Sequence, residues 1–233
     1  MTYTLVTSFV LQRKDIRNTE KIQDYLKRFE YIKNLNLPTV LFLDRSISIP
    51  ETETLKVVSC SIEDTWIHQK FCSVEPSIPA VRNHEKDTAE YMFIQNSKPE
   101  WVFKVSELNP FNTDYFVWVD FGLSHVIKNK DNFNILKTLK PSRDICLSAI
   151  TDTVHPYLLD RICWRFAGGV FYTSKNGAGQ FYETCKAVIE RVLPRLTWEV
   201  NIWALIEASK LLQFNFYYAD HNDTLLTNLP TLT

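Results

Sequence analysis

Glycine is scarce in this chain, with five in 233 residues, and none of the common glycine-bearing nucleotide or nucleophile loops is present. There is no GxxxxGK[ST], no GxGxxG and no GxSxG, which argues against P-loop NTPases, dinucleotide-dependent dehydrogenases and ordinary serine hydrolases. Cysteine is also sparse. Cys60, Cys72, Cys146, Cys163 and Cys185 are odd in number, widely spread and without a CxxC pair. Reduced, mostly buried thiols fit that pattern better than a zinc site or a disulfide framework. His68, His84, His125 and His155 form no metal-ligand spacing. The opening residues Met1–Val10 carry neither a basic region nor a signal-length apolar stretch, and no run reaches the roughly 18–20 apolar residues a membrane helix needs. A cytoplasmic protein, at most peripheral to a membrane and without a transmembrane segment, is expected. The formal net charge of −1 gives no general pull toward nucleic acid or an anionic surface, so an anionic ligand needs a local site.

Aromatic residues, by contrast, are plentiful: 6 Trp, 10 Tyr and 15 Phe, 13% of the chain. Most belong in a core, and the remainder suit stacking on sugars or bases. The length supports one substantial core. Thr4–Val10 reads as a buried strand. Ile22, Tyr25, Leu26, Phe29 and Ile32 then recur on one helical face, closed by Pro38. Thr39–Leu43 is a continuous apolar run suited to a strand covered on both faces, and Lys56–Cys60 looks like a third strand. Residues 63–86 are polar, with two prolines and little periodicity, and read as an irregular loop. Ser97-Lys-Pro-Glu100 has the form of a capping box opening a helix to about Leu108. Strands are expected at 115–119, 145–150, 166–172 and 214–218. Helices are expected around Phe181–Val192 and from about Thr197 to Leu212. The alternation predicts a single α/β domain, a twisted, mainly parallel sheet with helices on both faces.

In such a sheet, ligands meet polar residues at the carboxyl ends of strands. Tyr115-Phe-Val-Trp-Val119 delivers Asp120 at such an end, followed two residues later by Gly122. A carboxylate presented this way suits a divalent cation bridging a diphosphate; the alternative is an Asp that caps the following turn. Gly168-Gly169 inside a strand marks a bulge or a close approach by a backbone or a ligand, with tight packing as the competing explanation. Thr197-Trp-Glu-Val-Asn201 puts an acid, an amide and an indole at a helix start. Glu199 there is a candidate general base, or simply a first-turn acid favoured by the helix dipole. His221, between Asp220 and Asp223, is a candidate nitrogen ligand for the same metal or an ordinary surface histidine. Lys98, beside a helix N-terminus, and Arg82 are candidate phosphate or base contacts, or solvated surface.

Asn96-Ser-Lys-Pro-Glu100 and Asn109-Pro-Phe-Asn-Thr-Asp-Tyr-Phe-Val-Trp-Val-Asp-Phe-Gly122 resemble the HtrL/YibB family, bacterial proteins linked to lipopolysaccharide biosynthesis. The similarity extends through Arg165–Phe171 and Trp198–Asn201, and the Asn109–Gly122 stretch is its specific part. Such proteins look like GT-A-type glycosyltransferases. The resemblance therefore implies a nucleotide-binding half over about 1–122 and an acceptor half over about 123–233. It implies a nucleotide-sugar donor, a glycan or glycolipid acceptor, and Mn²⁺ or Mg²⁺ held by an Asp-x-Asp-like motif. Asp120 matches the motif's carboxylate, but Gly122 stands where the second would be, so either the metal rests on Asp120, the diphosphate, water and His221, or the enzyme is metal-independent. Thr7, Ser8, Lys98, Asp120, Gly168 and Gly169 are assigned to the nucleotide sugar. Glu199, with Asp152 second, is the expected base of an inverting reaction. Two other readings stay open. One is a non-catalytic carbohydrate or nucleotide-sugar binding domain. The other is a sugar nucleotidyltransferase, weakened because Thr7–Arg13 lacks the glycine-rich loop such enzymes carry after the first strand.

Overall fold

The computed structural model describes residues 2–11, 19–153 and 157–230; His155 and the Gln12–Arg13 end of the glycine-free segment lie outside them. The chain opens with β1 (Tyr3–Phe9), α1 (Thr19–Lys33), β2 (Thr39–Asp44) and β3 (Leu55–Cys60). These three strands pair in parallel, and β1 also pairs in parallel with β4 (Tyr115–Val119). Beyond β4 lie β6 (Phe166–Ser174), β5 (Ile145–Ala149) and β7 (Asn215–Tyr218), which complete a seven-stranded sheet of order β3-β2-β1-β4-β6-β5-β7. Only β6 runs against its neighbours, so the sheet is mainly parallel, as expected.

Alternation along each strand divides the core in two. Val6, Phe116, Trp118 and Leu147 point into one layer. There they meet α2 (Trp66–Phe71), α3 (Ala89–Asn96), α4 (Lys98–Leu108), α5 (Lys175–Val192) and α6 (Glu199–Ala208). Leu5, Phe9, Val117 and Val119 point the other way, toward α1, the 3₁₀ segment Lys130–Lys137 and the short α7 (Thr224–Thr227). The continuous apolar runs of β2 and β4 follow from this double cover, because neither face of a central strand reaches water.

Three expectations are corrected. The 63–86 stretch is not wholly irregular, since it holds α2, capped by the Thr65 hydroxyl. The α3 helix was not anticipated. Nor does Ser97 form a capping box. It sits in right-handed helical backbone at the junction of α3 and α4, and its hydroxyl donates back to the Phe93 carbonyl. With the Ser97 N–H already donating to the Phe93 and Ile94 carbonyls of α3, Glu100 is free to serve elsewhere. Its Oε2 accepts the Trp66 N–H at 2.9 Å, at the start of α2.

Candidate functional site

At the carboxyl end of β4 the chain leaves the sheet at Asp120, whose N–H donates to the Gly169 carbonyl at 2.9 Å. Its Oδ1 accepts from the Trp118 indole at 2.7 Å and faces the Lys98 ammonium at 3.1 Å. Residues two apart on a strand share a face, which puts Trp118 and Asp120 side by side. The carboxylate is about one-third exposed.

Lys98 opens α4, but its side chain does not reach outward to solvent. It is 2% exposed and runs beneath the cleft. Its Nζ meets three acceptors: Glu199 Oε1 at 2.9 Å, the Gly168 carbonyl at 3.0 Å and Asp120 Oδ1 at 3.1 Å. Burial pushes the lysine pKa down. The attraction of Asp120 and Glu199 outweighs it and lifts the ammonium above its ordinary value. A buried charge needs such partners. The expectation of a phosphate hand at a helix end is thereby revised: Lys98 is a fixed internal cation joining two carboxylates.

Glu199 is almost fully buried, and its carboxylate occupies the space a side chain on residue 168 would need. A Cβ on Gly168 would lie 2.2 Å from Glu199 Oε1. A Cβ on Gly169 would lie 3.3 Å from Leu123 and 3.9 Å from Asp120 Oδ2. The pair also marks a β-bulge: the β5–β6 register slips between Leu147 and Ser148, and the Ser148 hydroxyl reaches the carbonyls of Ala167 and Val170. Gly168 thus makes room for Glu199 itself.

Two lobes of a cleft meet at Lys98 and Asp120. The first, a cavity of about 200 Å³, is bounded by Ser8 and Phe9 of β1, Tyr25 of α1 and His125. The second, of about 160 Å³, is bounded by Gly168, Gly169, Trp164, Glu199 and His221. Most sequence-selected residues therefore converge. Thr7 does not. It points to the opposite face of β1 from Ser8, fully buried, with its hydroxyl unpartnered among the described residues. Asp152 stands outside both lobes, where it accepts from the Tyr218 hydroxyl. Arg82 is spent on the carbonyls of Asp87 and Pro79.

Sequence reasoning missed Tyr25 and Arg28. A Cβ on Gly122 would lie 3.2 Å from the Tyr25 ring and 3.9 Å from Arg28 Nη1, and the guanidinium stacks over that ring at 4.8 Å. The place of a second carboxylate is thus filled from α1. Their helical spacing put both on or beside the α1 face, but nothing in the sequence paired them with Gly122.

Among the described residues, no three of His, Cys, Asp and Glu converge as a metal cage. The donors present suit a cation that takes its remaining ligands from a diphosphate and water, as Mg²⁺ commonly does. Asp120 Oδ2 has no hydrogen-bond partner among the described residues. His221 lines the same lobe, its Nδ1 held 3.1 Å from Asp220 and its ring set edge-to-face with Trp164 at 4.6 Å.

Comparison with known proteins agrees with this geometry at the level of fold. The chain is similar to the crystal structure of a glycosyltransferase involved in the glycosylation of the major capsid of PBCV-1. The TM-score is 0.50 at 11% identity, over 94% of this chain and 82% of that one. The fold is GT-A-like; at that identity the likeness speaks for the fold alone. No curated protein matches the chain, and no described helix is long and apolar enough to cross a membrane. Residues 49–156 match the family described as bacterial protein of unknown function, HtrL_YibB. The matched segment, which contains both Lys98 and Asp120, is thus similar to the HtrL_YibB family and is carried on a GT-A-like α/β fold.

Proposed function

We propose that the protein is a glycosyltransferase, moving a sugar from a nucleoside-diphosphate sugar to a hydroxyl of a glycan or glycolipid. One observation carries this reading: Asp120 and Glu199, from opposite halves of the chain, share the Lys98 ammonium where the two lobes meet. The first lobe takes the nucleotide, with Ser8 and Tyr25 on its walls. The second takes the acceptor.

In the transfer, the acceptor oxygen bonds to the anomeric carbon as the bond from that carbon to the diphosphate oxygen breaks. The leaving group gains negative charge, and the Lys98 ammonium, with its three contacts made inside the protein, holds Asp120 and Glu199 in fixed positions beside it. Asp120 orients the donor. Glu199 takes the proton lost by the acceptor hydroxyl. A Mn²⁺ or Mg²⁺ held by Asp120 and His221 would add Lewis-acid neutralisation of the diphosphate.

Thermal-shift titration with UDP-, GDP-, CMP- and dTDP-sugars, with and without Mn²⁺, tests this. One donor class is expected to stabilise the protein by about 2.7 kcal/mol at a hundredfold excess over its dissociation constant, and Asp120→Asn should abolish the shift in a folded protein. Slow hydrolysis of the same donor without acceptor is expected. No shift with any donor overturns the reading. Binding without hydrolysis or transfer turns it into a binding domain, the alternative favoured by the Tyr25 ring standing where a second carboxylate would be.

A further inference from the structure

Trp164 is an unusual residue to leave in the open. It is 45% exposed, whereas most large aromatics of this chain are buried, and it lines the second lobe together with Glu199 and Gly168. Exposed indole on a loose loop would signify little, because ordering it on binding costs entropy. This loop is not loose.

Asn201, fully buried in the first turn of α6, holds the segment before Trp164 at three points. Its Nδ2 donates to the carbonyls of Leu158 at 2.7 Å and Arg161 at 2.9 Å, and its Oδ1 accepts the Cys163 N–H at 2.9 Å. The residue after Trp164 is pinned as firmly. Arg165 makes a bidentate pair with Glu207 at 2.6 and 2.7 Å and lies between the Phe166 and Phe216 rings at 4.7 and 4.8 Å. The indole is therefore presented by a backbone fixed on both sides. Such bidentate and multiply bonded anchors are what hold a binding group in one geometry.

A half-exposed, preorganised aromatic with carboxylates and an imidazole at its rim matches the two-sided chemistry of a pyranose. One face of that ring is a patch of C–H groups suited to an aromatic surface, and its edge carries hydroxyls suited to polar side chains. We propose that Trp164 is the stacking platform for a pyranose ring of the acceptor, with Glu199 meeting its hydroxyls. This rests on the transferase reading for the word acceptor, while the sugar-binding site itself stands on Trp164 and its anchors.

The test is saturation-transfer NMR with the methyl glycosides of glucose, galactose and N-acetylglucosamine, alone and with the nucleoside diphosphates. Wild type, Trp164→Phe and Trp164→Ala are compared after their melting temperatures establish that each is folded. At least one glycoside is expected to receive saturation, strongest on the hydrogens of one ring face. Its affinity should fall about tenfold in Trp164→Ala and be largely kept in Trp164→Phe, with nucleoside diphosphate binding unchanged in both. The proposal is overturned if no glycoside binds, if Trp164→Ala binds as wild type does, or if nucleotide affinity falls in parallel. Failure of the transferase reading is read separately, from absent nucleotide resonances, and leaves the glycoside result standing.

Discussion

The carboxylate of Glu199 fills the hollow left by the missing side chain of Gly168, with 2.2 Å between its Oε1 and the position a Cβ would take. A methyl group there cannot coexist with the Lys98–Glu199 pair. Gly168→Ala is expected to expel the carboxylate and cost about 3–5 kcal/mol, the range for breaking a buried pair from one side. Gly179→Ala is the control. A Cβ there makes only ordinary contact with Phe103 at 3.6 Å and sits inside α5, so it should stabilise by about 0.5–1 kcal/mol. Urea denaturation of the two variants checks both signs; a neutral Gly168→Ala would mean that Glu199 has another place to go.

Lys98 gives a prediction in pH. Its ammonium is held above the ordinary 10.5 by Asp120 and Glu199 against the opposing effect of burial. Below about 10.5 the lysine is protonated both folded and unfolded, so its contribution is fully present. As pH rises beyond that value the unfolded chain loses the proton first, and the stabilisation declines until the folded group titrates too. Lys98→Met should therefore be less stable than wild type by about 3–5 kcal/mol and by a constant amount from pH 7 to 9, with the gap narrowing above 10.5. Partial rescue in Lys98→Met/Glu199→Gln, which removes a stranded carboxylate, is expected from the same denaturation series.

The cysteines respond to their surroundings in a way thiol labelling can count. Cys72 is exposed, while Cys60, Cys146, Cys163 and Cys185 are buried. Burial, with Asp64 and Asp44 nearby, pushes the Cys60 thiol up to about 12. Burial takes Cys146 to about 11 and raises Cys163 and Cys185 as well. The thiolate is the reactive form, so a maleimide at pH 7 should modify one cysteine rapidly in the native protein and five after denaturation. Mass spectrometry of the rapid product should place the label on Cys72.

Much of this was legible from local pattern. The apolar run of β4 ending on a carboxylate announced Asp120, and the lone glycine pair announced the bulge in β6. Trp118 was not singled out, although a two-residue offset on a strand fixes a shared face and could have paired it with Asp120. What was hidden depends on contacts across the chain. Lys98 and Glu199 are 101 residues apart, and only the packing of α4 and α6 on one face of the sheet turns a helix-end lysine into a buried bridge. The α3 helix escaped notice because its consecutive Met92, Phe93 and Ile94 are all buried, which erases the one-sided stripe that periodicity detects. Ser97-Lys-Pro-Glu100 misled for the opposite reason: the motif assumes a free helix start, and α3 supplies the missing turn.

Gly122 offers the last prediction, because it separates a missing carboxylate from missing room for one. Restoring the acidic pattern by Gly122→Asp would bring a Cβ to 3.2 Å from the Tyr25 ring, which is stacked on Phe9 at 5.1 Å and covered by Arg28. The new carboxylate would have to push that ring aside, at a cost of about 1–3 kcal/mol, and would face a guanidinium before it faced a cation. Gly122→Asp alone should therefore lose stability and gain no Mn²⁺ affinity. Gly122→Asp/Tyr25→Ala, which clears the space, should recover part of the stability and bind Mn²⁺ more tightly than wild type. Electron paramagnetic resonance titration of Mn²⁺ against the three proteins reads the order directly. Equal or tighter metal binding by the single variant would show that the α1 side chains yield easily and do not define this corner of the cleft.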